Sequence, residues 1–284
     1  MSTIAAPISS PMRSRPDRLV VGRGRIFVDS LRFEWTKLRT VRSTWWTLLA
    51  SLTAMLGIAT LVSEITVHQW ATTSPANRLL FDPLETSVSG TFFAQLAMGV
   101  LGVLVITTEY GTGMVRTSFA AVPQRGTLLA AKAAVLFAVT LVVGITESFV
   151  SFFTTQTVLS TNAATDLGVS ISDPGALQTV FGAGLFLALM GLLGCAVGAL
   201  LRRSAGAITT LFGLTFLLPV LMQLLPSAIK DNATKYLPSE AGSAIYRQIQ
   251  QPHALTPAAG LVVLCSYTVV TLCLATVVLR HRDA

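Results

Sequence analysis

Long apolar stretches alternate with shorter polar ones along this chain, and their lengths predict helices that cross a membrane. A helix of about 18 or more apolar residues spans roughly 30 Å of hydrocarbon with its backbone polar groups bonded internally. Such stretches predict six spans, near residues 46–67, 88–107, 128–153, 177–201, 207–225 and 256–279. Pro219 lies inside the fifth and predicts a kink there. The predicted fold class is an all-α integral membrane protein.

The segment before the first span has the spacing of an amphipathic helix. Between residues 26 and 45, the apolar positions recur at intervals of three, four, three and seven residues, which is one face of a helix. These positions are Val28, Leu31, Trp35, Leu38 and Trp45. A basic amphipathic helix with tryptophan is typical of the headgroup plane. We therefore predict an interface helix over 26–45, which either anchors the chain at the bilayer or contacts a partner.

Basic residues are concentrated on one side of the predicted topology. Sixteen of the twenty lysines and arginines lie before the first span, in the second-to-third and fourth-to-fifth connections, or after the sixth span. The other four are Arg78, Lys230, Lys235 and Arg247. Since cytoplasmic loops retain positive charge, both termini are predicted to be cytoplasmic. Residues 1–25 are then a disordered basic arm, and 281–284 a cytoplasmic tail.

Composition agrees with a membrane protein, because 52% of the residues are hydrophobic and 12% are charged. In this setting the net charge of +7 indicates orientation in a membrane and not nucleic-acid binding. Arginine exceeds lysine sixteen to four, and Ala, Gly and Val are abundant, which favours a GC-rich bacterial genome. The predicted location is a bacterial plasma membrane.

Motifs that carry catalysis are missing from the sequence. The chain has neither G-x-x-x-x-G-K-[ST], which holds nucleotide phosphates, nor the G-x-S-x-G of serine hydrolases. Its three cysteines fall inside predicted spans without metal-ligand spacing, and its three histidines fall in loops or the tail. We predict no catalytic residue, no metal site and no cofactor. Any ATP hydrolysis must come from a separate polypeptide.

A few intramembrane residues are candidates for a transport pathway or for helix packing. Glu147 lies about 22 Å beyond Lys132 along the third span, in its outer half, and either handles substrate or protons or is a paired carboxylate. Gly194 and Gly198 have the spacing of close helix contacts, with a neighbour in this chain or in a second copy. Pro219 completes this group.

The segment between the fifth and sixth spans, 226–257, is long for a loop. Two short helical stretches are predicted there, near 227–236 and 239–250, and Pro238 and Pro252 punctuate them. These stretches either cap the outer mouth of a pathway or form a passive surface loop.

The most distinctive residues lie around the first and second spans. They are TTEYGTGMVRT at 107–117 and AAVPQRG at 120–126, together with EWTKLR at 34–39 and STWW at 43–46. With the topology, they resemble permease subunits of ABC transporters of the type-2 (ABC-2) exporter family, especially short actinobacterial ones. In that family a helix like the one at 26–42 is the cytoplasmic interface helix, and one like 109–119 is the coupling helix, which docks into the ATP-binding subunit.

The resemblance assigns roles to single residues. Glu109 and Arg116 would supply charge-assisted contacts, Gly111 and Gly113 a sharp turn, and Met114 with Phe119 an apolar anchor. The full set that it places at the contact with the ATPase is Glu34, Trp35, Lys37, Arg39, Glu109, Tyr110, Gly111, Gly113, Met114, Arg116 and Phe119.

The function that the resemblance implies is the permease subunit of an ATP-driven ABC exporter. Its expected partners are two copies of a separate ATP-binding subunit, a second permease copy or close relative that makes a dimer, and membrane lipid. Two other classes stay open, an ion-coupled secondary transporter and a non-transporting membrane scaffold. A neighbouring gene for a Walker-motif ATPase would favour the permease.

Overall fold

The structure, a computed structural model, describes residues 23–113, 125–161, 167–249 and 253–282. These residues form the helices α1 (Arg23–Thr40), α2 (Arg42–Gln69), α3 (Pro75–Leu79), α4 (Pro83–Ser87), α5 (Thr91–Thr112), α6 (Arg125–Ser160), α7 (Ala176–Leu201), α8 (Ser204–Phe212), α9 (Leu218–Met222), α10 (Ser227–Ala233), α11 (Pro238–Ser243) and α12 (Pro257–Arg282). One turn of 3-10 helix follows α2 and another follows α10, and a π-helix joins α8 to α9.

Six helical segments are long and apolar enough to cross a membrane, which confirms the predicted fold class. They are Arg42–Thr72, Thr91–Thr112, Gly126–Ser160, Ala176–Leu201, Ser204–Met222 and Pro257–Leu279. The chain is an all-α, multi-pass membrane protein. Because the number of spans is even, α1 and the end of α12 lie on one side of the bundle, the α1 side, and the opposite side is the far side.

The interface helix ends earlier than its periodicity predicts. Val41 has an extended backbone, with a ψ of 121°, so α1 ends at Thr40 and α2 begins at Arg42. Trp45 therefore belongs to the first span and not to the interface helix. Its indole N–H donates to the carbonyl of Arg39 at 3.0 Å, across the break between the two helices. The apolar spacing continues across the single extended residue Val41. Periodicity alone therefore does not reveal that α1 and α2 are separate helices.

The fourth span, α7, is the centre of the bundle. It packs against α5, α6 and α12. In its most apolar stretch 78% of the residues are buried, whereas the figure is 17% for the fifth and the sixth spans. A helix that is apolar on every side is buried by its neighbours, and the outer helices turn much of their apolar surface to lipid.

Glycines let the second and fourth spans approach at backbone distance. A Cβ added at Gly194 would overlap the carbonyl oxygen of Gly99, and one added at Gly102 would overlap that of Gly191. Gly198 likewise faces the backbone of α5. Small residues at helix contacts permit the dense packing that holds membrane helices together. The packing partner of Gly194 and Gly198 is thus α5 of the same chain.

The fifth span is irregular next to Pro219. The π-helix Gly213–Leu217 lies immediately before α9, in which Pro219 occupies the first turn. A proline has no N–H for the carbonyl four residues earlier, here Thr215, and its ring crowds that carbonyl. A π-helical turn widens the backbone at this point, so the helix continues through the proline.

The segment before the second span folds back into the bundle from the far side. A Cβ at Gly90 would overlap the carbonyl of Met55, although α2 continues to Gln69, about 21 Å further along the helix. The hydroxyl of Ser151 in α6 donates to the carbonyl of Ser87 at 2.6 Å and holds α4 in place. The second span therefore begins well below the ends of its neighbours.

The segment between the fifth and sixth spans is also re-entrant. Gly242 of α11 lies against the ring of Phe186, near the middle of α7. The hydroxyl of Thr179 donates to the carbonyl of Tyr246 at 2.9 Å. The two predicted helical stretches are present, but the second is shorter than predicted and ends as a helix at Ser243. The two re-entrant segments meet on the far side, deeper in the bundle than the ends of the spans.

Candidate functional site

Four charged side chains from three helices meet on the α1 side. Glu34 and Lys37 come from α1, Glu109 from the last turn of α5, and Lys132 from the second turn of α6. This charge cluster contains two carboxylates and two ammonium groups, so its formal charges cancel. It joins the interface helix to both helices that flank residues 114–124.

Lys132 is the shared donor of the charge cluster. Its Nζ donates to Glu34 Oε2 at 2.6 Å and to Glu109 Oε1 at 2.7 Å. The three residues are only 2%, 1% and 6% exposed, respectively. Lys37 Nζ contacts the same carboxylate oxygen of Glu109, and the Lys37 side chain is more exposed than that of Lys132. Buried charges persist where they are paired and hydrogen-bonded, as those of Lys132, Glu34 and Glu109 are.

The sequence places these groups at helix positions that face one another. Glu34 lies one turn from Ser30 and one turn from Leu38, and all three are buried, so they form the inward face of α1. Val105 and Leu129 are buried within a turn of Glu109 and Lys132. This apolar surrounding excludes water and strengthens the attraction between the charges.

The connection between the fourth and fifth spans closes the same side of the bundle. The Ser204 hydroxyl donates to Thr107 Oγ1 at 2.8 Å. The Arg202 guanidinium lies over the Tyr110 ring, 5.4 Å from its centroid, and Arg202 Nη2 also donates to the carbonyl of Val278 at 3.4 Å. The last turns of α5 are therefore held by this connection as well as by the charge cluster.

The resemblance placed Glu34 and Glu109 at the contact with an ATPase, but in the structure both carboxylates face other parts of the same chain. Their burial with Lys132 leaves them no surface for a partner. On α1, Trp35 is 52% exposed and Arg39 is exposed too, so these two predicted contact residues are accessible. Glu34 and Glu109 can act on a partner contact by positioning the helices that carry it.

The end of α5 also differs from the prediction of a coupling helix over 109–119. Residues 109–112 are the last turn of the second span. Gly113 then ends the helix in a left-handed conformation, with a φ of 73°, which is the turn predicted for it. Gly111 is exposed beside it. The remaining residues predicted for this helix, Met114, Arg116 and Phe119, lie outside the described residues.

Lys37 is held in an environment that disfavours its charge. Burial, and after it the positive charge of Lys132, lower the pKa of the Lys37 ammonium from 10.5 to about 8, against the opposing effect of the Glu34 carboxylate. Lys37 can thus lose its proton in mildly alkaline solution. The charge cluster would then carry one net negative charge.

The titration of Lys37 predicts a pH dependence of stability. Between pH 8 and 10.5 the unfolded chain binds more protons at this lysine than the folded protein does, so stability rises with pH in this window. We expect the Tm of the wild type minus that of a Lys37→Met variant to increase by about 2 °C between pH 7 and about pH 10, since solvent screening at this half-buried group reduces the effect. Differential scanning fluorimetry in detergent measures it. A difference that stays constant or decreases contradicts the assignment.

Glu147 is paired inside the bundle. The Ser51 hydroxyl donates to Glu147 Oε2 at 2.9 Å, and the residue is 2% exposed. Its other oxygen has no partner among the described residues. Glu147 lies just past the middle of α6, whereas Ser51 lies before the middle of α2. Glu147 therefore lies in the outer half of α6, close to its middle, and its hydrogen-bond partner belongs to the first span.

Lys132 is the functional candidate that sequence reasoning missed. The charge distribution places it among the basic residues that set orientation, and no motif around it indicates a buried ion pair. One signal could have found it: Lys132 lies inside the predicted third span, 128–153. A lysine within a span is costly unless it is paired.

No protein-family model matches the chain, and no curated protein matches it either. The interpretation of the site therefore depends on its geometry and on the motifs of the sequence.

Proposed function

We propose that this chain is the membrane-spanning permease subunit of an ATP-driven ABC exporter in a bacterial plasma membrane. Two copies of a separate ATP-binding subunit and a second permease copy or close relative complete the transporter. The observation that carries the proposal is the charge cluster, which ties the interface helix to the two ends of the 114–124 segment. The resemblance to ABC-2 permeases supplies the functional class, which is ATP-driven export.

The geometry supports a role in transmitting force. Segment 114–124 is the short connection between α5 and α6, and a partner that pushes on it moves both helices. Because Lys132 bonds to α1 and α5 simultaneously, the three helices respond as one body. α5 in turn packs at backbone distance on the central α7. Closure of the ATP-binding subunits would thus be passed from the α1 side to the centre of the bundle.

The charge cluster has a positioning role in this proposal. The buried residues Glu34, Glu109 and Lys132 hold α1, α5 and α6, and with α1 its exposed residues, in one arrangement. A buried charge network is costly compared with apolar packing, but it specifies a unique geometry. A unique geometry suits an element that must pass the closure of the ATP-binding subunits to the centre of the bundle.

Co-purification with a Walker-motif ATPase from a neighbouring gene tests the proposal. We expect the ATPase to remain bound to the wild-type chain in mild detergent and to be lost from an Arg39→Glu, Arg116→Glu double variant, which reverses the charge of an exposed α1 residue and of a residue in the 114–124 segment. Both positions are outside the charge cluster, so the bundle should keep its Tm.

The matched control is Arg78→Glu, a charge reversal at an exposed residue on the far side. It should retain the ATPase. If no ATPase associates with the wild type, or if the double variant binds as well as the wild type does, the proposal is wrong.

A second candidate function is an ion-coupled secondary transporter, favoured by the buried Glu147–Ser51 pair. In that case Glu147→Gln would abolish proton-driven uptake or efflux in vesicles that contain no ATP. An exporter of the ABC class would show no transport under those conditions with either protein.

A further inference from the structure

A cavity of about 300 Å³ lies on the far side, away from the charge cluster. Its walls come from the start of the second span, the fifth span around Pro219 and the re-entrant segment that contains α11. The volume is at the lower end of the range for small-molecule sites. Sites of this kind form between helices of a bundle, where a few polar groups converge on an otherwise apolar space.

Two buried polar atoms on the cavity wall have no hydrogen-bond partner among the described residues. Gln95 Nε2 donates to the carbonyl of Phe92 at 2.9 Å, which leaves Oε1 as the free end of the amide. Gln95 is 2% exposed and Ser239 is 8% exposed, and the Ser239 hydroxyl is likewise unsatisfied. An unsatisfied buried acceptor is unfavourable, so these atoms point to a ligand that donates hydrogen bonds.

Aromatic rings form the apolar part of the wall. Phe92 and Phe216 meet edge to face with centroids 4.9 Å apart, and Phe186 lines the cavity from α7. Rings in this arrangement accept a planar or aromatic group and attract cations through their faces.

The charged groups on the wall have an excess of carboxylate. Arg247 Nε donates to Glu85 Oε1 at 2.8 Å, whereas the contact of Arg247 Nη1 with Glu240 Oε2 is looser, at 3.5 Å. Glu85 and Glu240 are each about one-third exposed. With two carboxylates against one guanidinium, a cationic ligand can pair with Glu240, and an anion would be repelled.

A second cavity of about 300 Å³ shares Gln223, Glu240 and Arg247 with the first. Lys230 and Lys235 line the second cavity and not the first. Glu240 and Arg247 therefore stand between the two spaces.

We propose that the first cavity binds a small aromatic amine in its cationic form. Its N–H groups would donate to Gln95 Oε1 and Glu240, its ring would lie among Phe92, Phe186 and Phe216, and the Ser239 hydroxyl would supply a further contact. That such a molecule is the cargo depends on the proposed function, but the binding site itself does not.

The test measures ligand binding to the full chain in nanodiscs without an ATPase. Fluorescence anisotropy of ethidium, a planar cation with two aromatic amino groups, reports saturable binding. We expect tryptamine to displace ethidium, and indole-3-acetate, which has the same ring with a negative charge, to displace it at least about tenfold less effectively. Gln95→Leu should weaken binding of ethidium about tenfold and Ser239→Ala about threefold.

Gln69→Leu is the matched control, because Gln69 is exposed at the far end of α2, and it should bind as the wild type does. Since Gln95→Leu removes an unsatisfied buried acceptor, it should keep or raise the Tm, so a loss of binding cannot be ascribed to unfolding. Absence of saturable binding, equal displacement by indole-3-acetate, or unchanged binding in Gln95→Leu and Ser239→Ala each overturns the inference.

Co-purification of the ATPase with Gln95→Leu separates this inference from the proposed function. Loss of ethidium binding with the ATPase retained supports both. Failure of ethidium to bind a wild-type chain that retains the ATPase overturns the cavity inference alone, and binding of ethidium by a chain that recruits no ATPase overturns the exporter alone.

Discussion

Replacing Lys132 by methionine is expected to lower the free energy of unfolding by about 3–5 kcal/mol, roughly 10 °C in Tm. The Glu34 and Glu109 carboxylates would stay buried and lose the ammonium group that they share. Methionine keeps most of the apolar stem of lysine, so the effect reports the lost charge. Thermal unfolding in detergent, with the yield of monodisperse protein, measures it.

A compensating change distinguishes charge from packing. Adding Glu34→Gln to Lys132→Met leaves Lys37 to balance Glu109, and at least about half of the lost stability should return, because the buried excess charge is removed. Lys235→Met serves as the control, since this ammonium lies over the ring of Tyr236 on the far side, and its loss should cost less than about 1 kcal/mol. Equal losses at Lys132 and Lys235, or no recovery in the double variant, would show that the charge cluster does not stabilise the bundle.

Leucine at Gly194 is expected to cost more than about 3 kcal/mol and to abolish the monodisperse protein. The new side chain would occupy the position of the Gly99 backbone, and a backbone cannot shift as a flexible side chain can. α5 and α7 would have to separate, which opens the most buried contact of the bundle. Size-exclusion chromatography and thermal unfolding of the purified variant measure the effect.

Gly57→Leu is the control for this substitution. Gly57 is also a helical glycine within a span, and a Cβ there meets nothing within 4 Å. Because leucine is a better helix former than glycine, the variant should be as stable as the wild type or slightly more stable. Similar destabilisation at both glycines would contradict the account of close packing between α5 and α7.

The six spans could be predicted from the sequence because each apolar stretch has a length and composition that favour its own transfer into the bilayer. Their ends were less predictable, as α6 shows: it continues to Ser160, past the predicted end at 153, because helical hydrogen bonding does not stop where hydrocarbon does. The break at Val41 was invisible to periodicity, since the apolar spacing continues across it. The sequence also does not show that α4 and α11 lie inside the bundle, because a short helix has the same local pattern at the surface and in the interior.

Sequence motifs led to part of the candidate site. The resemblance singles out Glu34, Lys37 and Glu109 as contacts for a partner, whereas the structure turns Glu34 and Glu109 inward. Lys132 was missed, since a lysine near a span end usually sets topology. Neither pattern nor motif states which distant charges face each other.

Apolar length by itself determined that this protein has six helices able to cross a membrane, because transfer into lipid depends on each segment's own length and composition. The tertiary structure alone decided that Lys132 joins Glu34 to Glu109, that Gly194 packs on Gly99 within one chain, and that Gln95 and Ser239 face one cavity. Each of these pairings brings together residues far apart in the chain. Such contacts follow from how the helices pack, and packing is a property of all the spans at once.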